Sequence, residues 1–230
     1  AVATAPTVFV ADQFNNPVAG VVVTFAVASG GGSITGATQT TDAAGIATVG
    51  TWTLGTTAGS NSLTATAGTL AGSPLSFTAT GTAGSAISIA IDAGDGQSAT
   101  VGTPVTASPA VIVRDQFNNP VAGVEVTFAI ASGDGSVTGA TQTTNAAGTA
   151  MVGGWTLGNT AGSNSLTATS AGLTGSPVTF NATGTSGAAT QVALEAGDGQ
   201  SATVGTGVSI APAVIIRDQF NNPVAGASVT

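Results

Sequence analysis

DQFNNPVAG stands at residues 12–20, at 115–123 and again at 218–226, each occurrence 103 residues after the last. A string that returns at a fixed interval marks an array of like structural units, and every other residue is read inside that array. The alignment runs without a gap: Trp52 falls on Trp155, Phe77 on Phe180, and residues 207–230 begin a third copy. The domains expected are 1–84, a repeat lacking its first strand, then 85–187, a complete repeat, and 188–230, the start of a third.

The string lies between an apolar run ending near Val10 and another starting near Val21, so it is a connection. Its chemistry is that of a turn. Asp12 can bond its own backbone, Asn15 tolerates positive φ, Asn16 before Pro17 is pushed out of the helical region, and Gly20 frees the backbone for the next strand. Phe14 is expected to fold back as a lid over the core.

Comparing the copies separates the two faces of each strand. Val21, Val23, Phe25 and Val27 match Val124, Val126, Phe128 and Ile130, while Val22 between them becomes Glu125 and then Ser228. Period two with one tolerant face describes a half-buried strand. By the same parity Leu75 and Phe77 keep apolar partners in Val178 and Phe180, so Phe77 is expected to point inward. In GIATVGTWTL, Ala47 and Val49 lie on one parity and Trp52 and Leu54 on the other, which places a bulge at Gly50 and at its match Gly153. Adding the runs at 6–10, 61–66, 87–91 and 98–101 gives about seven strands per copy, the complement of an immunoglobulin-like sandwich. The fold class expected is all-β: tandem immunoglobulin-like β-sandwich repeats with a period of 103 residues.

Arg114 and Arg217 are the only cations against ten Asp and Glu, for a net charge of −8, yet charged residues make up only 5% of the chain. Nucleic acid and polybasic membrane anchoring both require a basic footprint, and neither partner fits this chain. Trypsin finds little to cut. Gly, Ser and Thr interrupt each apolar run before the roughly 18 residues a spanning helix requires, so no membrane insertion of this segment is expected. Cys is absent, and with it any disulfide or thiolate metal site. No basic, apolar leader opens the sequence and Ala1 is not an initiator Met, which reads as a mature product or an excised segment.

DQFNNPVAGVEVTF, TTNAAGTA and WTLGNTAGSNSLTAT, in that order, resemble the bacterial Ig-like repeat of the invasin and intimin type. The family's corner usually carries Gly where Asn15, Asn118 and Asn221 stand, and Asn is the next best residue for a left-handed backbone. The resemblance covers the whole chain. It implies an extended row of sandwiches outside a bacterial cell, at the cell surface, and it does not carry receptor binding, which in such adhesins is the work of distal domains.

Catalysis requires an activated nucleophile or a placed acid and base, and the chain has no His, Cys, Lys or Tyr. Enzyme activity and a bound cofactor are not expected. The acidic Gly-rich stretches offer Asp92 with Asp95, and Glu195 with Asp198, as candidate Ca²⁺ ligands; a good site asks for about six oxygens, so an Asp-Gly turn is the competing account. Thr and Ser crowd the outward parities and suit O-linked glycans, and Asn181-Ala182-Thr183 is an N-glycosylation sequon. Phe9, Ile112 and Ile215 put a large apolar side chain on the outward parity of one strand in all three copies, and are candidates for contact with other copies of the chain or neighbouring repeats. The first copy lacks a strand and the third is cut short, so either the polypeptide continues or a neighbouring copy supplies the missing strand. The function expected is structural: a rod or self-assembling fibre, or else the stalk of an adhesin that presents a distal tip.

Overall fold

Alternation of apolar and hydroxyl side chains builds strands throughout, and the computed structural model, which describes residues 1–230, contains twenty of them and no helix. No helix is therefore long and apolar enough to cross a membrane. Two compact units are present. Unit 1 comprises Ala1–Ser85 with Asp115–Asn119, and unit 2 comprises Ala86–Arg114 with Pro120–Thr230.

Unit 1 holds β1 (Thr7–Phe9), β2 (Val22–Ser29), β3 (Ser33–Thr35), β4 (Thr38–Thr40), β5 (Ile46–Thr48), β6 (Thr51–Thr53), β7 (Gly59–Thr66) and β8 (Leu75–Gly81). An antiparallel sheet runs in the order β4-β2-β7-β8, and β1 pairs with β5 and β3 with β6. Val8, Val23, Phe25, Val49, Trp52 and Leu63 form the core.

Unit 2 holds β9 (Ser88–Ala93), β10 (Gln97–Thr100), β11 (Ala110–Arg114), β12 (Glu125–Ser132), β13 (Ser136–Thr138), β14 (Thr141–Thr143), β15 (Thr149–Met151) and β16 (Gly154–Thr156). It continues with β17 (Gly162–Thr169), β18 (Val178–Thr185), β19 (Gln191–Ala196) and β20 (Ala213–Arg217). Five strands line up as β10-β18-β17-β12-β14, three as β15-β11-β9, and two pairs are β13-β16 and β19-β20. Only β10 against β18 is parallel. The core gathers Ile89, Val111, Val126, Trp155, Leu166 and Phe180, and the Phe128 and Phe180 rings lie 6.5 Å apart.

The parity reading holds in the strand after the corner: Val23 and Phe25 are buried and Val22 faces out, as Val126 and Phe128 are buried and Glu125 faces out. Each such side chain removed from water contributes about 1.5–3 kcal/mol. Phe77 is only half-buried and Leu75 exposed, whereas Phe180 and Val178 are buried. The reason is coverage: β18 has β10 on its outer side, and β8 is a sheet edge.

The phase shift at Gly50 is not a bulge within one strand but a change of sheet. β5 pairs with β1, and three residues on β6 pairs with β3, so both Val49 and Trp52 reach the core. Gly50 N–H donates to Thr35 O at 3.0 Å, and a Cβ at position 50 would stand 2.6 Å from Thr35 Oγ1, which only Gly avoids. Gly153 repeats the bond to Thr138 O at 2.9 Å. The three-residue strands β3, β4, β13 and β14 lie outside the sequence reading, being too short to display a period.

Trp155 is buried, and its Nε1–H has no hydrogen-bond partner. Trp155→Ala is expected to cost about 3–5 kcal/mol in urea unfolding of this unit. Trp155→Phe should cost clearly less, since it also removes the unsatisfied donor. Glu125→Ala should stay within about 0.5 kcal/mol, and a larger loss would reverse the parity assignment.

Candidate functional site

The recurring corner is built outward from one carboxylate. In unit 1, Asp115 Oδ1 accepts the N–H of Phe117 at 2.8 Å and of Asn119 at 2.9 Å, and Oδ2 accepts Gly84 N–H at 2.8 Å. Asn118 between them sits at φ 67°, the left-handed conformation expected of this Asn, and Asn15 and Asn221 do the same at 68° and 70°. The carboxylate also takes the side chain of Asn119, whose Nδ2 lies 3.0 Å from Oδ2. Thus oriented, the Asn119 amide grips a turn sixty residues earlier: Nδ2 donates to Thr56 O at 2.8 Å and Oδ1 accepts Ala58 N–H at 2.8 Å.

Unit 2 repeats the arrangement. Asp218 accepts Phe220 N–H, Asn222 N–H and Gly187 N–H at 2.8–2.9 Å, and Asn222 donates to Asn159 O at 2.8 Å and accepts Ala161 N–H at 2.7 Å. The gripped turn is itself held from beneath. Buried Asn164 accepts Gly158 N–H and donates to Gly162 O, and buried Asn61 does the same for Gly55 and Gly59. Asp12 and Asn16 make the local bonds of the corner and lie exposed.

Electrostatics follow these contacts. Hydrogen bonding from the Asn119 side chain, set against burial and joined by the N–H groups of Gly84, Asn119 and Phe117, holds Asp115 at about 2. At Asp218 burial opposes ionisation, and the bonds from Asn222, Gly187 and Phe220 outweigh it, again leaving the pKa at about 2. Asp12 is lowered as well, first by the Asn16 side chain. Such a group is a fixed acceptor and no proton shuttle; the corner is a latch.

The lid role expected of Phe14 is not what the corner does. Phe14 is 75% exposed, Phe117 53% and Phe220 38%. Phe220 rests on Gly102 rather than on its own core, since a Cβ at position 102 would meet the ring at 3.2 Å. The grip by Asn119 and Asn222 is missing from the sequence reading, and so is the support from Asn61 and Asn164. The second had a signal: Asn61 shares the inward parity of Leu63 and Ala65, where a polar side chain calls for a buried partner.

The other candidates lie apart from the corner. Asp92 accepts the Thr149 hydroxyl at 3.1 Å and Asp95 accepts Asn181 N–H at 2.7 Å, which ties strands together. Glu195 and Asp198 are exposed, and no group of three or more His, Cys, Asp or Glu converges. Phe9 is 53% exposed, while Ile112 and Ile215 are half-buried. Ile112 stands across from Ala90 on β9 and Thr149 on β15, whereas Phe9 has only Ile46 on β5.

Antiparallel sheets around a Trp-centred core, with this corner between strands, define an immunoglobulin-like β-sandwich of the bacterial adhesin kind. No family model matches the chain, and no curated protein matches it in sequence. Among solved structures it is similar to the Escherichia coli adhesin FdeC, with a TM-score of 0.59 and 18% identity over 94% of this chain and 68% of that one. It is similar also to Yersinia pseudotuberculosis InvD, with a TM-score of 0.58 and 20% identity over 95% of this chain and 66% of that one. The chain thus spans about two thirds of each, and at these identities the likeness is one of fold. It agrees with the resemblance to the invasin and intimin type.

Asn119→Ala leaves Thr56 O and Ala58 N–H without their partner and is expected to lower stability by about 1–3 kcal/mol in chemical unfolding, against about 0.5 kcal/mol or less for exposed Asn16→Ala. The pH profile carries a second test. Asp115 and Asp218 lie at about 2 in the fold against 3.8 as the ordinary value. Their contribution is complete above about pH 4 and is lost as pH falls through about 2. Melting followed across that window should drop, and Asp115→Asn together with Asp218→Asn should flatten the drop while lowering stability at neutral pH.

Proposed function

We propose that this chain is a structural repeat region of a long extracellular bacterial surface protein, whose sandwiches at 103-residue spacing follow one another to make a rod or a self-assembling fibre. In this reading the domains are 1–84, 85–187 and 188–230, and the work done is mechanical reach. The observation that carries it is the latch: the corners at 115–119 and 218–222 each bond the turn and the linker of the copy before, through the same atoms. A corner needed only to turn the chain would not require an Asn that reaches sixty residues back. Surface Ser and Thr are open to O-linked glycans, and Phe9, Ile112 and Ile215 offer a lateral contact within a fibre.

A second reading is a single-chain stalk that holds a distal host- or surface-binding tip. It is favoured by the fold shared with an adhesin.

Electron microscopy of the native assembly separates the two, by whether one chain or many occupy a cross-section. Force spectroscopy on a chain of several complete repeats tests both. Each repeat should unfold as one event and release about 35 nm of polypeptide, from roughly 3.3–3.6 Å per extended residue. Increments with no common length would sink the repeat-array reading.

A further inference from the structure

Unit 1 leaves open two clefts that unit 2 fills with its own chain. The larger, about 610 Å³, runs beside the free edge of β1 and is lined by Val8, Val10, Ala65, Leu70, Ala71 and Leu75. In unit 2 the matching slot beside β11 holds β9. Ile89 is buried there, its N–H donates to Thr174 O at 3.0 Å, and Thr174 N–H donates to Ile87 O at 2.9 Å. The smaller cleft, about 430 Å³, lies against Val2, Trp52 and Phe77. Unit 2 fills that place with β10, paired to β18 and followed by buried Val101.

Residues 191–204 repeat, 103 positions on, the segment 88–101 that fills both slots. Val192 stands for Ile89 and Val204 for Val101. Their surroundings differ sharply: Val101 is 2% exposed and Val204 96%, and Val192 and Leu194 are 64% and 69% exposed. β19 is paired with β20 alone, so its apolar side chains have no core beneath them.

We propose that residues 191–204 of one copy of this chain enter the two clefts of a second copy, with β19 laid along β1. The ladder that β19 makes with β20 matches the ladder of β9 with β11, so moving it to β1 replaces like bonds with like. What is gained is burial of Val192 and Val204. Asp198 then meets Thr78 N–H as Asp95 meets Asn181 N–H in unit 2. Donor and acceptor surfaces lie at opposite ends of one sequence, so the contact is heterologous and continues from copy to copy. The inference deepens the fibre reading and rests on it.

The test follows the 230-residue chain by sedimentation over a range of concentrations. It adds the double variant Val192→Asp, Val204→Asp, and as probe a synthetic peptide of residues 85–102. Both substituted positions are exposed in the isolated chain, so the variant keeps its fold. Wild type is expected to form a concentration-dependent ladder of oligomers. The variant should associate at least about tenfold more weakly. The peptide should hold the chain as a monomer and raise its melting temperature by on the order of 5 °C. Assembly unchanged in the variant and in the presence of peptide overturns strand donation and leaves a fibre to lateral contacts. A monomer that the peptide nonetheless stabilises overturns the second copy as occupant and assigns the clefts to a strand of the same polypeptide. A monomer indifferent to the peptide overturns both the donation and the fibre.

Discussion

A carboxylate that accepts three backbone N–H groups has no freedom left to swing, and the order of this protein's corners depends on that. Asp115 and Asp218 are buried charges without a cation beside them, an arrangement that costs several kcal/mol unless hydrogen bonds replace the lost water. Gly84 or Gly187, a Phe amide, and both the backbone and side chain of Asn119 or Asn222 supply those bonds. The carboxylate in turn fixes the Asn amide with its donor and acceptor facing outward. Everything the corner holds is held through that second residue.

Around these corners the sheets follow from an economy of side chains. One face of each strand is Val, Phe, Leu or Trp, and the other is mostly Thr and Ser, with little charge to keep the surface apart. Thr pairs across strands take over part of that role: Thr35 and Thr51 hydroxyls meet at 2.8 Å, Thr7 and Thr48 at 3.1 Å, and Ser29 and Ser62 at 2.7 Å. Glycine permits the close approaches. A Cβ on Gly158 would overlap Gly133 O, and one on Gly55 would overlap Gly30 O, so the turns that the latches grip can exist only where the chain carries no side chain.

The sandwich was legible because its signals are local. Alternation in residues 21–27 and 124–130 gave the buried face, and the left-handed Asn15, Asn118 and Asn221 followed from turn chemistry. The change of sheet at Gly50 was half legible: the parity shift was visible, but one glycine in a sequence does not distinguish a bulge from a strand that leaves its sheet. The latch was illegible for a different reason. Asn119 binds main-chain atoms of Thr56 and Ala58, and no residue type at those positions records the contact. Phe14 was misread because a bulky apolar residue in a turn was given to its own core, whereas Phe220 lies on the backbone of the copy before.

Recognition through main-chain atoms has a consequence for how such a chain can grow. Where the first copy has Thr56 the second has Asn159, and the two carbonyls are gripped alike at 2.8 Å. The latch reads the path of a turn and is indifferent to its spelling. Any copy can therefore precede any other without matched changes on both sides of the junction. A gene built of near-identical segments can gain or lose one by unequal recombination and still encode a chain in which every latch closes, so length becomes a heritable quantity that varies independently of sequence.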